Sequence, residues 1–382
     1  MTDQPKASGA PLNVLEMATQ FGVGGIARHI LALTASLRQK GHRVTLGGTP
    51  AAWAGPKTEP GFVVLPTRYV SGDGGSLTVR LYHVAMATWR LRRWLAAQRP
   101  DLIHAHESAP ALVANLARKG LGIPLAVTYH GSEPERIAGF GAIARKADIV
   151  ITPSHRSAED LVKIGGVPKE RLKVLGLGVN PPPEDGPDEI AALRRDLLGD
   201  GERLIITIAR LERQKGIDIL IETIARIIPD HPGYRFVVAG DGPDEAALRE
   251  MAVARGVDGH LTFLGRVSRP LLYLRASDLF LLTSRWEALP FTIVEAFQAG
   301  IPAVAAACSG VVELIDDEVG AVVPIGDTEA IAREVTRILG DEALRARMGE
   351  AALRKSKLDR FRPEWVHDQF EAMYRDLAAG RT

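Results

Sequence analysis

The stretch DLFLLTSRWEALPFTIVEAFQAGIPAVAA, residues 278–306, holds a complete strand–helix–strand pattern. DLFLLT and PAVAA are short apolar runs of the kind that form buried strands. Between them, Pro290 suits the first position of a helix, because its missing N–H is one that the first turn leaves unbonded, and Gly300 ends that helix. The pattern is typical of a parallel sheet covered by helices.

The same alternation of strands and helices continues along the whole chain. PPPEDGPDEI, residues 181–190, interrupts it as a proline-rich linker would, and RPEWVHDQFEAMYRDLAA, residues 362–379, has the pattern of a last amphipathic helix. The other predicted strands are LNVLEM, HRVTLG, DLIHAH, LAVTYH, DIVITP and LKVLGL before the linker, and RLIITIA, YRFVVAG and HLTFLG after it.

We therefore predict an α/β protein with two doubly wound, Rossmann-like parallel-sheet domains that face a central cleft. The first domain is expected at residues 1–180 and the second at residues 181–360. The C-terminal helix, residues 361–382, is expected to cross back to the first domain. Because ligands of open α/β sheets bind beyond the carboxyl ends of the strands, the cleft is the predicted ligand site.

The composition is that of an ordinary globular protein: 382 residues, 46% hydrophobic, with a net charge of +1. The single cysteine, Cys308, excludes an internal disulfide and fits a reducing cytoplasm, and its neighbours favour a packed residue over a nucleophile. No apolar run approaches the ~20 residues of a membrane span, and MTDQPKASGAPL has no signal-peptide core. We expect a cytoplasmic protein with no nucleic-acid partner.

The charge is divided unevenly along the chain. Residues 1–180 hold 22 Lys and Arg against 12 Asp and Glu, and the remainder holds 25 against 34, so the halves carry about +10 and −9. One segment of the basic half, residues 87–100, combines arginine and tryptophan as helices at membrane interfaces do. It predicts reversible contact with the anionic inner face of the cytoplasmic membrane; alternatively, the tryptophans pack onto the sheet, or the opposite charges draw the domains together. The residues concerned are Trp89, Arg90, Arg92, Arg93 and Trp94.

Two glutamates flank Pro290: Glu287 lies in the predicted loop and Glu295 in the second helical turn. Both can face the free backbone N–H groups and the positive end of the helix dipole. Carboxylates accept hydrogen bonds from hydroxyls, and a helix N-terminus binds phosphate, so a nucleotide sugar suits this pair. The alternative is a surface acid in a loop and an ordinary glutamate in a helix.

Two cations follow the strand RLIITIA: Arg210 and Lys215, just before a helix. Opposite the helix that begins near residue 291 they could hold a pyrophosphate, although a solvated basic loop has the same sequence features. GDGPDE, residues 240–245, and FLGRV, residues 263–267, are tight turns after two further strands on the same side.

GVGGIA, residues 22–27, fits the loose dinucleotide pattern G-x-G-x-x-A. A dehydrogenase is disfavoured, because ATQF separates the motif from its strand and no acid occurs between Glu16 and Glu59 to bind the adenosine ribose. The loop still suits a phosphate or a sugar, since Gly24 and Gly25 permit close backbone contact.

The order GVGG, TYHG, ARLERQKG, GDGP, FLGRV and E-x7-E resembles the retaining glycosyltransferases of family 4, which have the GT-B fold. The resemblance covers essentially the whole chain. It departs in three places: Ala288 stands where a glycine is usual, VLGLGVN replaces Pro-Asn-Gly-Val-Asp, and SGVVELI replaces Gly-Gly-x-x-Glu. The first departure concerns the geometry of the sugar loop, and the second concerns the hinge.

The resemblance implies a role for each motif. Arg210 and Lys215 would hold the donor pyrophosphate, Glu295 the ribose, and Glu287 with the following amides the transferred sugar. Gly24 and Gly25 would approach the phosphate from the first domain, which would be the acceptor side, and the second domain would be the donor side. The implied catalytic residues are His130, Arg210, Lys215 and Glu287. The remaining implied donor-binding residues are Gly240, Leu264, Arg266, Val267, Ala288, Leu289, Pro290 and Phe291.

No Asp-x-Asp metal anchor occurs, so we expect no metal and no cofactor beyond a UDP- or GDP-sugar co-substrate. The diphosphate charge would be met by fixed protein groups. The resemblance implies a front-face reaction with retention, in which His130 orients the sugar or the acceptor, and a glycan or lipid-linked acceptor. His104 or His106 is expected on the acceptor side, with a structural role as the alternative.

The predicted function is transfer of a hexose-type sugar. The alternatives are a nucleotide-sugar 2-epimerase of the same fold, for which the first half is poor in acids, and a non-catalytic nucleotide-sugar binding protein. A phosphorylase would need a pyridoxal-phosphate lysine, for which the chain is short.

Overall fold

The chain forms two compact units. Unit 1 combines Met1–Gly178 with Arg362–Thr382, and unit 2 is Val179–Phe361. The computed structural model describes residues 9–22, 24–51, 58–59, 61–71, 75–180 and 185–380.

Unit 1 is built on a seven-stranded sheet in which every neighbouring pair is parallel. Its strands are β1 (Asn13–Gln20), β2 (Arg43–Thr49), β3 (Val63–Val64), β4 (Leu102–His106), β5 (Leu125–Thr128), β6 (Ile149–Thr152) and β7 (Leu172–Val174). They lie in the order β3-β2-β1-β4-β5-β6-β7. The helices between them are α1 (Gly25–Gln39), α2 (Leu77–Gln98), α3 (Ser108–Ala117), α4 (Pro134–Ala144) and α5 (His155–Lys163).

Unit 2 repeats the design with a six-stranded parallel sheet in the order β10-β9-β8-β11-β12-β13. Its strands are β8 (Arg203–Ile208), β9 (Tyr234–Ala239), β10 (Leu261–Gly265), β11 (Leu279–Leu282), β12 (Ala303–Ala306) and β13 (Gly320–Val323). Its helices are α6 (Pro187–Leu198), α7 (Ile217–Ile227), α8 (Glu245–Ala254), α9 (Pro270–Arg275), α10 (Phe291–Gln298), α11 (Thr328–Gly340) and α12 (Glu342–Lys355).

The predicted fold class, with two parallel-sheet α/β domains, is confirmed. Every position of β4, β11 and β12 is buried, which requires cover on both faces of each sheet and explains the continuous apolar runs. Two strands were not predicted: β3 is only two residues long, and β13 is a four-residue strand that begins with Gly320. Helix α10 begins at Phe291, so Pro290 is its cap residue rather than its first residue.

The strand order reverses once in each sheet, beside β1 in unit 1 and beside β8 in unit 2. At such a reversal the loops after two adjacent strands diverge, and ligands of this fold class bind in the resulting crevice. The reversal lies between β1 and β4 in unit 1 and between β8 and β11 in unit 2.

The basic segment predicted as a short helix is the second half of α2, which runs for 22 residues. Trp89 is 57% exposed, whereas Trp94 is partly buried and packs against the core of unit 1. In the part of the chain that the structure describes, none of the helices is both long and apolar enough to cross a membrane.

The last helix, α13 (Pro363–Ala378), belongs to unit 1, where it contacts α1 and β4. Its buried face includes Val366, Phe370 and Tyr374, which pack with Val14 of β1 and Leu37 of α1. Because this cluster covers one face of the sheet, the core of unit 1 is incomplete without the end of the chain.

We expect Phe370→Ala to lower the free energy of unfolding of unit 1 by about 3–5 kcal/mol, because it leaves a cavity beside the sheet. Phe370 is 1% exposed, whereas Trp365 in the same helix is 37% exposed. Trp365→Ala is therefore the matched control and should cost less than half as much. Urea denaturation followed by circular dichroism measures both, and equal losses would contradict the assigned packing of α13.

Candidate functional site

The loops that follow β8 and β11 in unit 2 are bonded to each other. The backbone N–H of Arg285 donates to the carbonyl oxygen of Gln214 at 2.7 Å, and Gln214 Nε2 donates to the carbonyl oxygen of Trp286 at 2.9 Å. Gly216 has a φ of +63°, and a Cβ there would lie 2.1 Å from the carbonyl oxygen of Thr283, so only glycine allows this approach. The two loops therefore form one rigid platform at the strand-order reversal.

Lys215 and Glu287, one from each loop, form an ion pair on this platform. Lys215 Nζ lies 2.6 Å from Glu287 Oε1, and the hydroxyl of Ser284 donates to the same oxygen at 2.8 Å. The side chains retain 20% and 9% of their exposure, so the pair is largely shielded from water. The sequence predicted both residues in the site, but at a separation of 72 positions along the chain it gave no sign that they touch.

A second ion pair, between Arg285 and Asp218, ties the platform to helix α7. Both guanidinium Nη atoms of Arg285 donate to the carboxylate of Asp218 in α7, at 2.8 and 2.6 Å. The hydrogen bonds from Arg285 hold the pKa of Asp218 below its usual value despite partial burial. This two-pronged contact fixes the direction of the loop that carries Glu287.

The carboxyl ends of β8, β9 and β10 converge beside the platform. Gly240 has a φ of +150° and a Cβ there would lie 1.8 Å from the carbonyl oxygen of Ala209, while its N–H donates to the carbonyl oxygen of Gly265 at 2.8 Å. Arg210 leaves this edge with 58% of its side chain exposed, and its Nη2 lies 3.1 Å from Glu212 Oε2. Arg210 is thus accessible to an anionic ligand.

The turn at the end of β10, residues 264–267, begins within the strand, whose last two residues are Leu264 and Gly265, and it holds three of the implied donor-binding residues. Leu264 and Val267 are partly exposed, and Arg266 Nη2 donates to Asp241 Oδ2 at 2.9 Å. The turn therefore exposes apolar surface from Leu264 and Val267 next to Arg266, whose charge is balanced by Asp241.

Helix α10 completes the predicted donor set. Glu295 lies in it and is 5% exposed, and Ala288 and Leu289 before it are also buried. Ala288 does not have a positive φ; among the described non-glycine residues, positive φ values occur at Arg99 and Glu107. An alanine in place of glycine therefore strains nothing in the backbone of this loop.

In unit 1, Gly24 and Gly25 mark the start of α1, and Val23 lies outside the described residues. No heavy atom lies within 4 Å of a Cβ built on Gly24. The predicted phosphate loop thus has open space beside it.

The strand-order reversal of unit 1 holds a buried cluster around Glu16. Strand register pairs Glu16 of β1 with His104 of β4, and His106 of β4 with Thr128 of β5, all on the face that α13 covers. Glu16 Oε2 lies 3.0 Å from His104 Nδ1 and 2.9 Å from His106 Nε2, and the hydroxyl of Tyr374 donates to Oε1 at 2.7 Å. The carboxylate is thus surrounded by three donors. The sequence did not lead us to predict this cluster, although an acid inside an apolar strand was a visible signal of a buried polar site.

The cluster continues to His130, the histidine that the family resemblance implies. His106 Nδ1 lies 2.9 Å from His130 Nε2, and the ring of His29 in α1 packs edge-on against both. His106 is fully buried, whereas His130 is partly exposed, so of these two histidines His130 is the one that a ligand could contact.

Burial and hydrogen bonding shift the pKa values in this cluster. Burial alone would raise the pKa of Glu16, but its charge interaction with His104 and the hydrogen bonds from His104 and His106 bring that pKa well below the usual value. Burial lowers the pKa of His106 to about 4 and places the pKa values of His29 and His130 well below their usual range. At neutral pH the cluster holds one carboxylate charge and neutral imidazoles at these three positions.

Glu16, His104 and His106 are also the group that could supply ligands to a metal ion within the described residues. However, the four ring nitrogens of His104 and His106 are already engaged, by Glu16, Tyr374, Thr128 and His130. Hydrogen bonds between protein groups satisfy these polar atoms, so no metal ion is needed to explain their arrangement.

Two family models match the chain: Glycosyltransferase Family 4 over residues 23–181, and Glycosyl transferases group 1 over residues 190–355. D-inositol 3-phosphate glycosyltransferase of Salinispora arenicola is 30% identical over 324 residues, which cover 75% of this chain and 72% of that one. The chain belongs to the group 1 glycosyltransferases. The predicted family is confirmed, as is the prediction that the chain is a glycosyltransferase.

Other proteins similar to this glycosyltransferase agree with that assignment. N-acetyl-alpha-D-glucosaminyl L-malate synthase of Bacillus anthracis is 26% identical over 320 residues, covering 78% of this chain and 80% of the relative. The crystal structure of Anabaena HepE in complex with UDP-glucose has a TM-score of 0.78 at 21% identity, covering 94% of this chain and 99% of that one. This likeness shows the GT-B fold.

The glycosyltransferase should lose stability as the pH falls from 7.5 to 5.5. Because His29, His106 and His130 have lowered pKa values in the folded state, the unfolded chain takes up protons below pH 6.5 while the folded chain resists them. The contribution of these histidines to the free energy of unfolding is complete above pH 6.5. Below that pH it falls by up to about 1.4 kcal/mol per pH unit for each histidine.

Urea denaturation at several pH values measures this slope. His155→Gln, which changes an exposed histidine of α5, should leave the slope unchanged. A free energy of unfolding that stays constant over this pH range would show that the cluster is not neutral in the folded state.

Proposed function

We propose that this glycosyltransferase moves a hexose-type sugar from a nucleotide sugar to a glycan or lipid-linked acceptor, with retention of anomeric configuration and without a metal ion. The observation that carries the proposal is the bonded platform of unit 2, which combines Lys215, Glu287 and the start of α10 at the strand-order reversal. A cation, a carboxylate and free helix N–H groups are the groups that a sugar diphosphate requires.

Unit 2 binds the donor in this proposal. Arg210 and Lys215 bind the diphosphate, Glu295 binds the ribose, and Glu287 with the amides of 288–291 binds the transferred sugar. Gly240 permits close approach of the backbone, and Leu264, Arg266 and Val267 lie beside the base. Because the structure of Anabaena HepE contains UDP-glucose, a UDP-sugar is the first donor to test and a GDP-sugar the second.

The ion pair between Lys215 and Glu287 gives this site an exchange mechanism. While the site is empty, each residue compensates the charge of the other at 2.6 Å. An arriving diphosphate offers Lys215 a stronger anionic partner, and Glu287 then turns to the sugar hydroxyls. As the glycosidic bond breaks, Arg210, Lys215 and the N-terminus of α10 stabilise the negative charge that grows on the diphosphate.

Unit 1 binds the acceptor, with His130 orienting a hydroxyl of that acceptor or of the sugar. The relatives' names specify hydroxylated acceptors, L-malate and D-inositol 3-phosphate, for those enzymes. The acceptor of this chain is proposed to be of the same general kind, a hydroxyl on a glycan or on a lipid-linked polar group.

The assay that tests the proposed function follows release of nucleoside diphosphate from UDP- and GDP-sugars with a panel of acceptors. We expect acceptor-dependent release, a product whose anomeric configuration by NMR matches that of the donor, and less than about two-fold loss in excess EDTA, since a catalytic metal supplies several kcal/mol. Conversion of the donor to its 2-epimer would favour an epimerase, and binding without any turnover would favour a binding protein.

The two glutamates should separate by the part of the donor that each binds. Glu295→Gln should weaken UDP and UDP-sugar alike, by about ten-fold, because a charge-assisted hydrogen bond to the ribose is lost. Glu287→Gln should weaken the UDP-sugar only, and it should leave UDP equal or tighter because Lys215 is released from its ion pair.

Calorimetry with the two ligands measures this separation. Glu342→Gln, at a side chain with 76% exposure in the same unit, is the matched control and should bind as the wild type. The reverse pattern between Glu287 and Glu295 would overturn the assignments.

The exposed face of α2 supports reversible membrane contact. No acidic residue occurs from Leu77 to Arg99, and the exposed side chains include Leu81, Tyr82 and Trp89, with Arg93 stacked 4.9 Å from the Trp89 ring. Such a mixture of apolar and basic groups suits an anionic lipid surface.

Arg92 has a different role from its neighbours, because its Nη1 donates to the carbonyl oxygens of Ala117 and Lys119 at 3.0 and 2.7 Å. It closes the end of α3 and should be left intact in tests of membrane binding. This replaces the expectation that three arginines of the segment face the membrane.

The protein should co-sediment with phosphatidylglycerol vesicles and not with phosphatidylcholine vesicles. Arg90→Gln with Arg93→Gln should abolish binding without changing donor affinity, whereas Arg136→Gln with Arg156→Gln, at exposed arginines elsewhere in unit 1, should not. Salt at 0.5 M should weaken binding, because the screening length falls below the ~8 Å of physiological solution. Equal binding to both vesicle types, or to neither, would refute the contact.

A further inference from the structure

A continuous chain of hydrogen bonds leads from the buried carboxylate of Glu16 to the edge of unit 1. Glu16 Oε2 contacts His106 Nε2 at 2.9 Å, and His106 Nδ1 contacts His130 Nε2 at 2.9 Å. Glu16 and His106 have no exposed surface, whereas His130 is partly exposed. The chain therefore connects a buried charge to a group that a substrate can touch.

The direction of each hydrogen bond follows from the carboxylate, which only accepts. His106 must carry its proton on Nε2 to donate to Glu16, and as a neutral ring it then has a lone pair on Nδ1. His130 must therefore donate from Nε2–H to His106 Nδ1. The lone pair of His130 is consequently on Nδ1, and among the described residues no hydrogen-bond partner occupies that nitrogen.

The rest of the cluster agrees with this assignment. Tyr374 donates its hydroxyl proton to Glu16 Oε1, and His104 Nδ1 lies 3.0 Å from Glu16 Oε2. His104 thus carries its proton on Nδ1 and accepts from the hydroxyl of Thr128 through Nε2 at 2.7 Å. The Tyr374 hydroxyl, which donates to Glu16, also accepts from His104 Nδ1 at 2.5 Å. The opposite set of tautomers would leave the carboxylate facing ring nitrogens that carry no proton, which is unfavourable in a buried site.

We infer that Glu16 is a positioning residue that acts through His106 to hold His130 as its Nε2–H tautomer, so that His130 Nδ1 accepts a hydrogen bond from a substrate hydroxyl. The inference rests on the proposed function, because the substrate is the sugar or acceptor hydroxyl that the transfer reaction brings to unit 1. In this arrangement His130 orients a hydroxyl through a lone pair and supplies no positive charge to it.

The tautomers are directly measurable in the wild-type protein without any substrate. Long-range proton–nitrogen NMR of histidine-labelled protein at pH 7.5 separates Nε2–H, Nδ1–H and charged rings, and comparison with His130→Asn identifies the signals of His130. We expect His106 and His130 as Nε2–H tautomers and His104 as the Nδ1–H tautomer. An Nδ1–H or charged ring at His130 overturns the inference.

The functional part is tested with Glu16→Gln, which removes the negative charge and exchanges one accepting oxygen for an amide N–H donor that can face His106. We expect a shift of His130 toward the Nδ1–H tautomer together with at least a ten-fold fall in kcat, while the affinity for UDP stays as in the wild type because unit 2 binds it. Either change at His130 or in kcat without the other overturns the inference. His106→Phe, which keeps a ring of similar size without nitrogens, cuts the same chain and replaces Glu16→Gln if that variant does not fold.

Tyr374→Phe is the matched control, because it removes the hydrogen bonds of the Tyr374 hydroxyl to Glu16 and to His104 Nδ1 and leaves the chain from Glu16 through His106 to His130 intact. In this variant His106 and His130 should keep their wild-type tautomers, and kcat should remain within about two-fold of the wild type. A fall in kcat as large as that of Glu16→Gln would mean that the loss comes from disturbed packing of the cluster. If the wild type shows the expected tautomers but transfers no sugar to any acceptor, the proposed function fails while the hydrogen-bond chain stands.

Discussion

Two parallel strands can be joined only by a crossover, so all the loops that follow the strands of a parallel sheet emerge at one edge. In both units the strand order reverses at that edge between two neighbouring strands, β1 and β4 in unit 1 and β8 and β11 in unit 2. Glu16 and His104 lie on the first pair of strands, and Lys215 and Glu287 follow the second pair. The two polar clusters occupy equivalent places because the same constraint on connections creates an opening at each.

The two clusters differ in their access to water, and this difference separates their roles. Glu16 is fully buried, and moving a charge into the interior costs several kcal/mol unless hydrogen bonds replace its water. Three donors around the carboxylate supply that replacement and leave its neighbours with fixed protons. A closed network of this kind has one low-energy arrangement, so it suits a supporting role behind His130.

The ion pair of unit 2 is more open and can exchange partners. Lys215 retains a fifth of its side-chain exposure, and within the described parts of the chain Ser284 is the one other side chain that donates a hydrogen bond to Glu287. The platform that carries them is rigid, because the contact between Arg285 and Asp218 ties the loop after β11 to α7. A rigid base that carries an exchangeable ion pair is suited to a ligand that brings both negative charge and hydroxyl groups.

Local rules in the sequence determined all the described strands except β3 and β13, the start of α10 near Pro290, and the places of Glu287 and Glu295. They did so because apolar runs, proline and glycine act on their own neighbourhoods. The order of motifs was also sufficient to predict the family. Only the tertiary structure decided which strands are neighbours and in which register, and hence that Glu16 meets Tyr374 from 358 residues away and that Lys215 meets Glu287. Such contacts depend on side chains that long-range strand pairing and helix packing bring together, and no pattern within a short stretch of sequence records them.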